Sequence, residues 1–401
     1  MKFEDMNIEK SVLDSLKLIG FEKPTKIQAE TIPIIKEGSD VIGQSETGSG
    51  KTAAFGIPLI EKVEKNGKLQ ALVLAPTREL AVQIKEDFMK FSYYKKLFIQ
   101  TVYGGVSMLP QISGLRRAEI VVGTPGRVLD HMGRGTLDAR NVKIFVLDEA
   151  DKMIDMGFID DIKEIESHIP ENRQTLLFSA TMPDNLRGKT ERFTRNARRI
   201  KTEIKVRDDL LRQFYVDIDY SKKFSLLVHL IQSEPPKLGI IFCNSRHEAD
   251  NVSRNLQKNG INATSLHGGL TQGRREQIMQ DFHKGITEIL VATDVAGRGL
   301  DIKNVTHIFN YGIPKNIEDY ANRIGRTARA GKSGVAISFL SRDDHDSFRR
   351  IIRMLSYDIQ KMEVPHFKIL QFERTQTREY GGFRRGFRRE FRRGFSRRRY
   401  R

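Results

Sequence analysis

A single cysteine, Cys243, in 401 residues leaves no partner for an internal disulfide, and one thiol beside nine histidines does not suggest a structural zinc site. That scarcity points to a reducing compartment. No stretch approaches the roughly 18 uninterrupted apolar residues of a membrane helix, and Met1-Lys2-Phe3-Glu4-Asp5 lacks the charged-then-apolar order of a secretory leader. The expectation is a cytoplasmic protein without membrane contact. Acidic residues are outnumbered, 51 against 68 Lys and Arg, for a formal charge of +17. Apolar residues still make up 39% of the chain, enough for packed cores, and the length suits two or three domains of ~100–200 residues.

The excess charge is not spread evenly. From Arg374 to Arg401 twelve Arg face two Glu, a local charge of +10. The segment GFRRGFRREFRRGFSRR spaces Phe383, Phe387, Phe391 and Phe395 by four, yet Gly381, Gly382, Gly386 and Gly394 and the repelling Arg pairs oppose a helix. A disordered arm is expected. Guanidinium forks grip phosphate, and Phe rings and guanidinium planes stack on unpaired bases, so the composition suits RNA or single-stranded DNA without sequence preference. A solvated solubility tail would have the same charge.

Residues 1–202 alternate short apolar runs with longer amphipathic stretches. Val41-Ile42, Leu69–Ala75, Ile99–Tyr103, Ile120–Val122, Val142–Leu147 and Thr175–Phe178 read as strands buried on both faces, as in a parallel sheet. The rhythm lapses over the charged 203–212, expected to be a linker, and resumes over 213–363 with Phe214–Ile218, Gly239–Phe242, Thr264-Ser265, Ile289–Ala292, His307–Phe309 and Val335–Phe339. The expected fold class is α/β, two tandem doubly wound parallel-sheet domains with a tail over 364–401.

Ser45–Thr52 reads SETGSGKT, directly after one candidate strand and opening a helical stretch. Glycines there let backbone N–H groups face phosphate oxygens, Lys51 can reach the outer phosphates, and the Thr52 hydroxyl can take magnesium. Ser45 stands where the general pattern has Gly. Val142–Leu147 runs into Asp148-Glu149-Ala150-Asp151, placing acids at the carboxyl end of a buried strand, beside the ligand crevice of such sheets. Asp148 can hold the metal and Glu149 can orient or deprotonate water, whereas acids there could alone be mere helix caps. In the second half Arg323, Arg326 and Arg329 recur every three residues. They fit arginines that stabilise charge at a transferring phosphate, or a basic helix face.

With GFEKPTKIQ (20–28), PTREL (76–80), Gly104-Gly105, TPGR (124–127), SAT (179–181), ATDVAGRGLD (292–301) and RIGRTAR, these segments resemble the DEAD-box family of RNA-dependent ATPases and helicases, across nearly all of residues 1–363. The resemblance implies two RecA-like domains. It implies an ATP site in which Phe3, seventeen positions ahead of Gly20, sandwiches or supports adenine with Phe21, Gln28 reads the adenine edge assisted by Thr25, and Ser45, Glu46, Thr47, Gly48, Ser49, Gly50, Lys51 and Thr52 hold the phosphates. Asp301 would meet the ribose, and Arg326 and Arg329 would be arginine fingers. Asp151, Ser179, Thr181, Asn322 and Arg323 would couple hydrolysis to movement of the halves. RNA would lie along Pro76, Thr77, Arg78, Gly105, Thr124, Gly126 and Arg127, then Gln272, Arg275 and Thr293. Contacts of that kind, to backbone alone, carry little base information.

Three positions depart from the family pattern: Asn322 replaces the usual His, Ala328 the usual Gly, and Glu46 the frequent Gln. Coupling through the arginine motif is the function that Asn322 and Ala328 touch, whereas Glu46 adds a negative charge near the phosphates. The resulting expectation is a monomeric ATP- and magnesium-dependent RNA helicase that closes on single-stranded RNA or short duplexes and opens them locally. Two other classes fit parts of the chain. One is an ATP-gated RNA clamp or annealing protein with incidental hydrolysis; the other is a DNA-remodelling enzyme of the same two-half plan.

Overall fold

The computed structural model describes residues 1–45, 48–182, 188, 192–202, 210–294, 305–327, 333–354 and 359–374. In the first half a 3-10 turn, Phe3–Met6, precedes α1 (Lys10–Leu18), α2 (Lys26–Lys36), β1 (Val41–Gln44), α3 (Lys51–Lys62), β2 (Ala71–Leu74), α4 (Arg78–Phe91), β3 (Ile99–Val102) and α5 (Leu109–Leu115). There follow β4 (Ile120–Gly123), α6 (Pro125–Gly133), β5 (Ile144–Leu147), α7 (Ala150–Asp155), α8 (Ile159–Ser167), β6 (Gln174–Ser179) and β7 (Arg198–Lys201). The second half runs β8 (Leu211–Asp217), α9 (Lys223–Ser233), β9 (Gly239–Cys243), α10 (Arg246–Lys258), β10 (Ala263–Leu266), α11 (Gln272–His283) and β11 (Ile289–Thr293). It ends with β12 (His307–Asn310), α12 (Ile317–Ile324), β13 (Gly334–Leu340), α13 (His345–Met354) and β14 (Gln360–Lys361).

Each half is a seven-stranded parallel sheet, ordered β3-β4-β2-β5-β6-β1-β7 in the first and β10-β11-β9-β12-β13-β8-β14 in the second. Subtracting seven from each strand of the second gives the first. The halves therefore share one topology, although their residues show no repeat. Alternation within each strand supplies both faces: Ala71 and Val73 join one core cluster and Leu72 and Leu74 the other, as Ile240 and Phe242 do against Ile241 and Cys243. Burial on both sides is why these strands read as unbroken apolar runs. Packing is close at Gly43, where an added Cβ would strike the Phe178 ring, which in turn lies 5.2 Å from Phe55. Truncating Phe178 to Ala would cost about 3–5 kcal/mol.

Three expectations change. β8 begins at Leu211, inside the expected linker, because Leu211 is buried and pairs with Gly334 on β13. β7 and β14 lie at sheet edges and are mostly exposed, so Arg198–Lys201 and Gln360–Lys361 carry no apolar signal to announce them. The tail was expected from residue 364, but 364–374 packs on the second half: Phe367, Leu370 and Phe372 lie against its core, and Leu370 N donates to Ser225 Oγ at 2.9 Å. The remainder, 375–401, lies outside the described residues, as does 203–209 of the linker. Among the described residues no helix is long and apolar enough to cross a membrane.

Candidate functional site

All strands of a parallel sheet point their carboxyl ends to one edge, and the predicted site residues collect there. β1 delivers the chain to Ser45, whose N–H donates to Ser179 O at the end of β6, 3.0 Å away. The loop then turns through Gly48 and Gly50, both left-handed, with φ of 88° and 93°. Gly50 opens α3, so Lys51 and Thr52 form its first turn. Glu46 and Thr47 lie outside the described residues.

Lys51 is buried and donates from Nζ to Ser45 O at 2.5 Å, folding back across its own loop. Burial presses its ammonium below the ordinary lysine value, opposed by the carboxylates of Asp148, Glu149 and Asp151. Behind the loop, Gln28 donates from Nε2 to Gly50 O at 3.1 Å and accepts from Thr25 N at 2.9 Å. A Cβ at Gly50 would collide with that amide. Gln28 and Thr25 thus brace the phosphate loop from α2. Phe3 stacks on Phe21 with centroids 6.1 Å apart, but Phe3 is itself buried in the core. Burial excludes Phe3 from one face of an adenine sandwich and leaves it a support beneath Phe21.

β5 ends at Leu147 and hands over to Asp148, Glu149 and Asp151, all buried. Desolvation, with the neighbouring Glu149 charge, raises the Asp148 carboxyl to about 7. Glu149 adopts φ 52°, a left-handed conformation in which a non-glycine residue is strained. Asp151 Oδ2 accepts from both Thr181 N and Thr181 Oγ1 at 3.0 Å, and Ser179 Oγ donates to Thr181 O at 2.6 Å. The acidic motif and the SAT segment are therefore one hydrogen-bonded unit. One residue escaped the sequence reading: Lys152, whose Nζ lies 2.7 Å from Glu149 Oε1. Its signal was available as a cation three residues after an acid at a helix start.

In the second half Arg323 is committed inside the fold. Its Nε and Nη2 pair with Asp294 at 2.6 and 2.8 Å, while Nη1 donates to Asn310 Oδ1 and Gly312 O. It also lies over the Phe242 ring. Such a fork holds the ends of β11 and β12 together and is not free to meet a phosphate. Arg326 is buried and donates from Nε to Asn322 O at 3.2 Å. Arg329, Ala328 and Asp301 lie outside the described residues.

The predicted RNA face is contiguous in the first half. Thr77 caps α4 by accepting from Leu80 N, and the Arg78 guanidinium packs on Gly105, whose φ of 80° disfavours any side chain there. Arg127 donates to Val106 O at 3.3 Å, Thr124 precedes α6, and Gly126 lies near Asp161. Pro76 and Thr293 close the ends of β2 and β11. Arg78 Nη1 also reaches Gln272 Oε1 at 3.4 Å, and Arg275 pairs with Glu79 at 2.9 Å, so Gln272 and Arg275 meet the first half through side chains of the same face.

Two RecA-like parallel sheets, one carrying a phosphate loop and an acidic strand end, define a P-loop nucleoside-triphosphatase. The DEAD/DEAH box helicase pattern matches residues 25–188, and that of the helicase conserved C-terminal domain matches residues 222–331. The chain is 44% identical over 366 residues to the DEAD-box ATP-dependent RNA helicase CshA of Geobacillus kaustophilus (strain HTA426), covering 90% of this chain and 78% of that protein. Against ATP-dependent RNA helicase CshA of Listeria monocytogenes the identity is 46% over 367 residues, covering 91% and 71%. S. cerevisiae Dbp5 bound to RNA and ADP BeF3 superposes with a TM-score of 0.84 at 31% identity, over 90% of this chain and 95% of that one. The chain belongs to the DEAD-box ATP-dependent RNA helicase family.

Proposed function

We propose that the protein couples ATP hydrolysis to local opening of RNA duplexes or remodelling of RNA–protein complexes. The observation that carries this reading is the unit formed by Lys51, the buried acids Asp148, Glu149 and Asp151, and Thr181, set beside a face of glycines and arginines at the same sheet edge. Glu149 would take the proton of the attacking water. Lys51 and the loop N–H groups would hold the phosphates, and Arg326 with Arg329 would meet charge developing during transfer. Thr52 and Asp148 offer the hard oxygen donors magnesium prefers, and a carboxyl raised to about 7 by burial gains from a cation there. Bound there, the ion would neutralise phosphate charge.

ATP and single-stranded RNA each engage both halves in this reading, so each favours closure and assists the other. Closure bends one strand, which a local duplex cannot follow, and hydrolysis releases it. Contacts through Thr, Gly and Arg to the RNA backbone give little base preference. The Arg- and Phe-rich tail would add a second, unspecific hold on RNA at high effective concentration. The protein acts as a cytoplasmic monomer in this proposal. The tail also favours a second reading, an ATP-gated clamp in which hydrolysis is incidental.

Steady-state ATP hydrolysis without nucleic acid, with single-stranded RNA and with DNA of the same sequence tests the proposal, with Glu149→Gln as the blank. RNA alone is expected to raise the rate, and the blank to reduce it to a trace that only single-turnover conditions resolve. Equal rates under all three conditions would sink RNA coupling. Strand displacement that proceeds equally without ATP would favour the clamp.

A further inference from the structure

Lys152 follows the DEAD tetrapeptide and lies outside every motif named above. Its ammonium stands 2.7 Å from Glu149 Oε1, and the two side chains are only 4% and 5% exposed. The pairing follows from local geometry. Glu149 takes the left-handed conformation immediately before α7, and Lys152 comes one helical turn later, so both chains turn to the same side. The two oxygens of the carboxylate are thereby made unequal. Oε1 faces the ammonium in an ion pair whose angles are not those of a hydrogen bond, and Oε2 is buried with no hydrogen-bond partner among the described residues. A buried acceptor without a partner is costly to keep, and it stands in the residue that the proposed mechanism asks to receive a proton.

We propose that Lys152 is a positioning residue for hydrolysis: by anchoring Glu149 Oε1 it fixes the rotation of the carboxylate so that Oε2 is the acceptor for the attacking water. This rests on the reading of Glu149 as the group that activates water. In the step it serves, the water oxygen forms a bond to the γ-phosphorus. The bond from that phosphorus to the bridging oxygen breaks, and its electron pair leaves on ADP. The water proton passes to Oε2 and later to solvent, giving ADP and inorganic phosphate. Lys152 exchanges no proton and touches neither substrate nor water. Its contribution is orientation, and orientation of a reacting group is worth as much as about 10²-fold for a misplacement near 1 Å.

The test uses the full chain at saturating single-stranded RNA. Lys152→Met, close in length but uncharged, is expected to lower kcat about tenfold while the KM for ATP moves less than twofold. Lys152→Arg, which keeps the cation, is expected to recover most of the loss. In a Glu149→Gln background, followed by single-turnover hydrolysis, Lys152→Met is expected to cause no further fall, because the residue it positions is already disabled. A purely structural lysine would lower both backgrounds alike. Unchanged kcat in Lys152→Met, an equal further loss beside Glu149→Gln, or a raised KM at unchanged kcat would each overturn the inference. Should Lys152→Met melt below the assay temperature, Lys152→Gln against Lys152→Arg carries the same comparison. Full activity in Glu149→Gln alone would instead overturn the reading of Glu149.

Discussion

At the scale of single residues, the phosphate loop depends on a position with no room for a side chain. Gly50 combines φ 93° with the Gln28 amide pressed against it. An Ala there bears about 1–2 kcal/mol of left-handed strain and displaces Gln28 from Gly50 O. Gly50→Ala is expected to weaken ATP binding at least about tenfold, since 1.4 kcal/mol already gives that factor, while the melting temperature falls only a few degrees. Titration with a fluorescent ATP analogue beside a melting curve checks both. That Lys51, Asp148 and Glu149 lie together at one sheet edge was legible, because residue type and spacing after the strands place them there. Burial is not written in the same way: the sequence leaves open whether Phe3 sandwiches or supports adenine, and it does not show that Arg323 is held by Asp294 inside the fold. Lys152 carries a sequence signal in its spacing from Glu149, but the burial that gives the pair its weight is seen only in the fold.

At the scale of elements, α6 holds Gly126 and Arg127 on the candidate RNA face and carries a hidden titratable group at its other end. His131 is buried, with Nδ1 2.7 Å from Thr136 Oγ1 and Nε2 without a hydrogen-bond partner among the described residues. Burial, then the Arg127 charge, pushes the imidazole below the ordinary histidine value, against the opposing pull of Asp130. The folded form therefore binds this proton less readily than the unfolded chain. Stability from this source is present above about pH 6.5 and is lost as pH falls below it, by at most about 1.4 kcal/mol per unit. Melting temperatures from pH 5 to 8 are expected to fall on the acid side, and less steeply in His131→Gln. Twelve strands were legible from apolar runs, since parallel strands bury both faces. The edge strands β7 and β14 were not, because one is basic and the other spans two residues.

At the scale of the whole molecule, residues 364–374 separate two roles that composition alone merged into one tail. Phe372 lies 5.0 Å from Phe224, Asn255 exchanges two hydrogen bonds of 2.9 Å with the Glu373 backbone, and Arg374 covers the Tyr220 ring. A chain ending after Arg374 is expected to melt as the parent does and to lose up to ~7 from the salt slope of RNA binding, at about 0.7 per phosphate. A chain ending after Glu363 is expected to melt roughly 5 °C or more lower as well. An unchanged slope in the first would remove the tail from RNA binding. The shared strand order has a last consequence. Ser45 N bonds Ser179 O in the first half, and Ile218 N bonds Leu340 O at 2.9 Å in the second, at the same point of the same topology. Where one half continues into SETGSGKT, the other continues into Asp219-Tyr220-Ser221-Lys222, without a glycine and beside an open groove of about 660 Å³ lined in part by Pro365 and Phe367. The molecule thus carries one strand order twice in a single polypeptide, with different turns at the equivalent point. One polypeptide therefore supplies the two sheets in a fixed one-to-one ratio, and only the first of them has glycines at this turn.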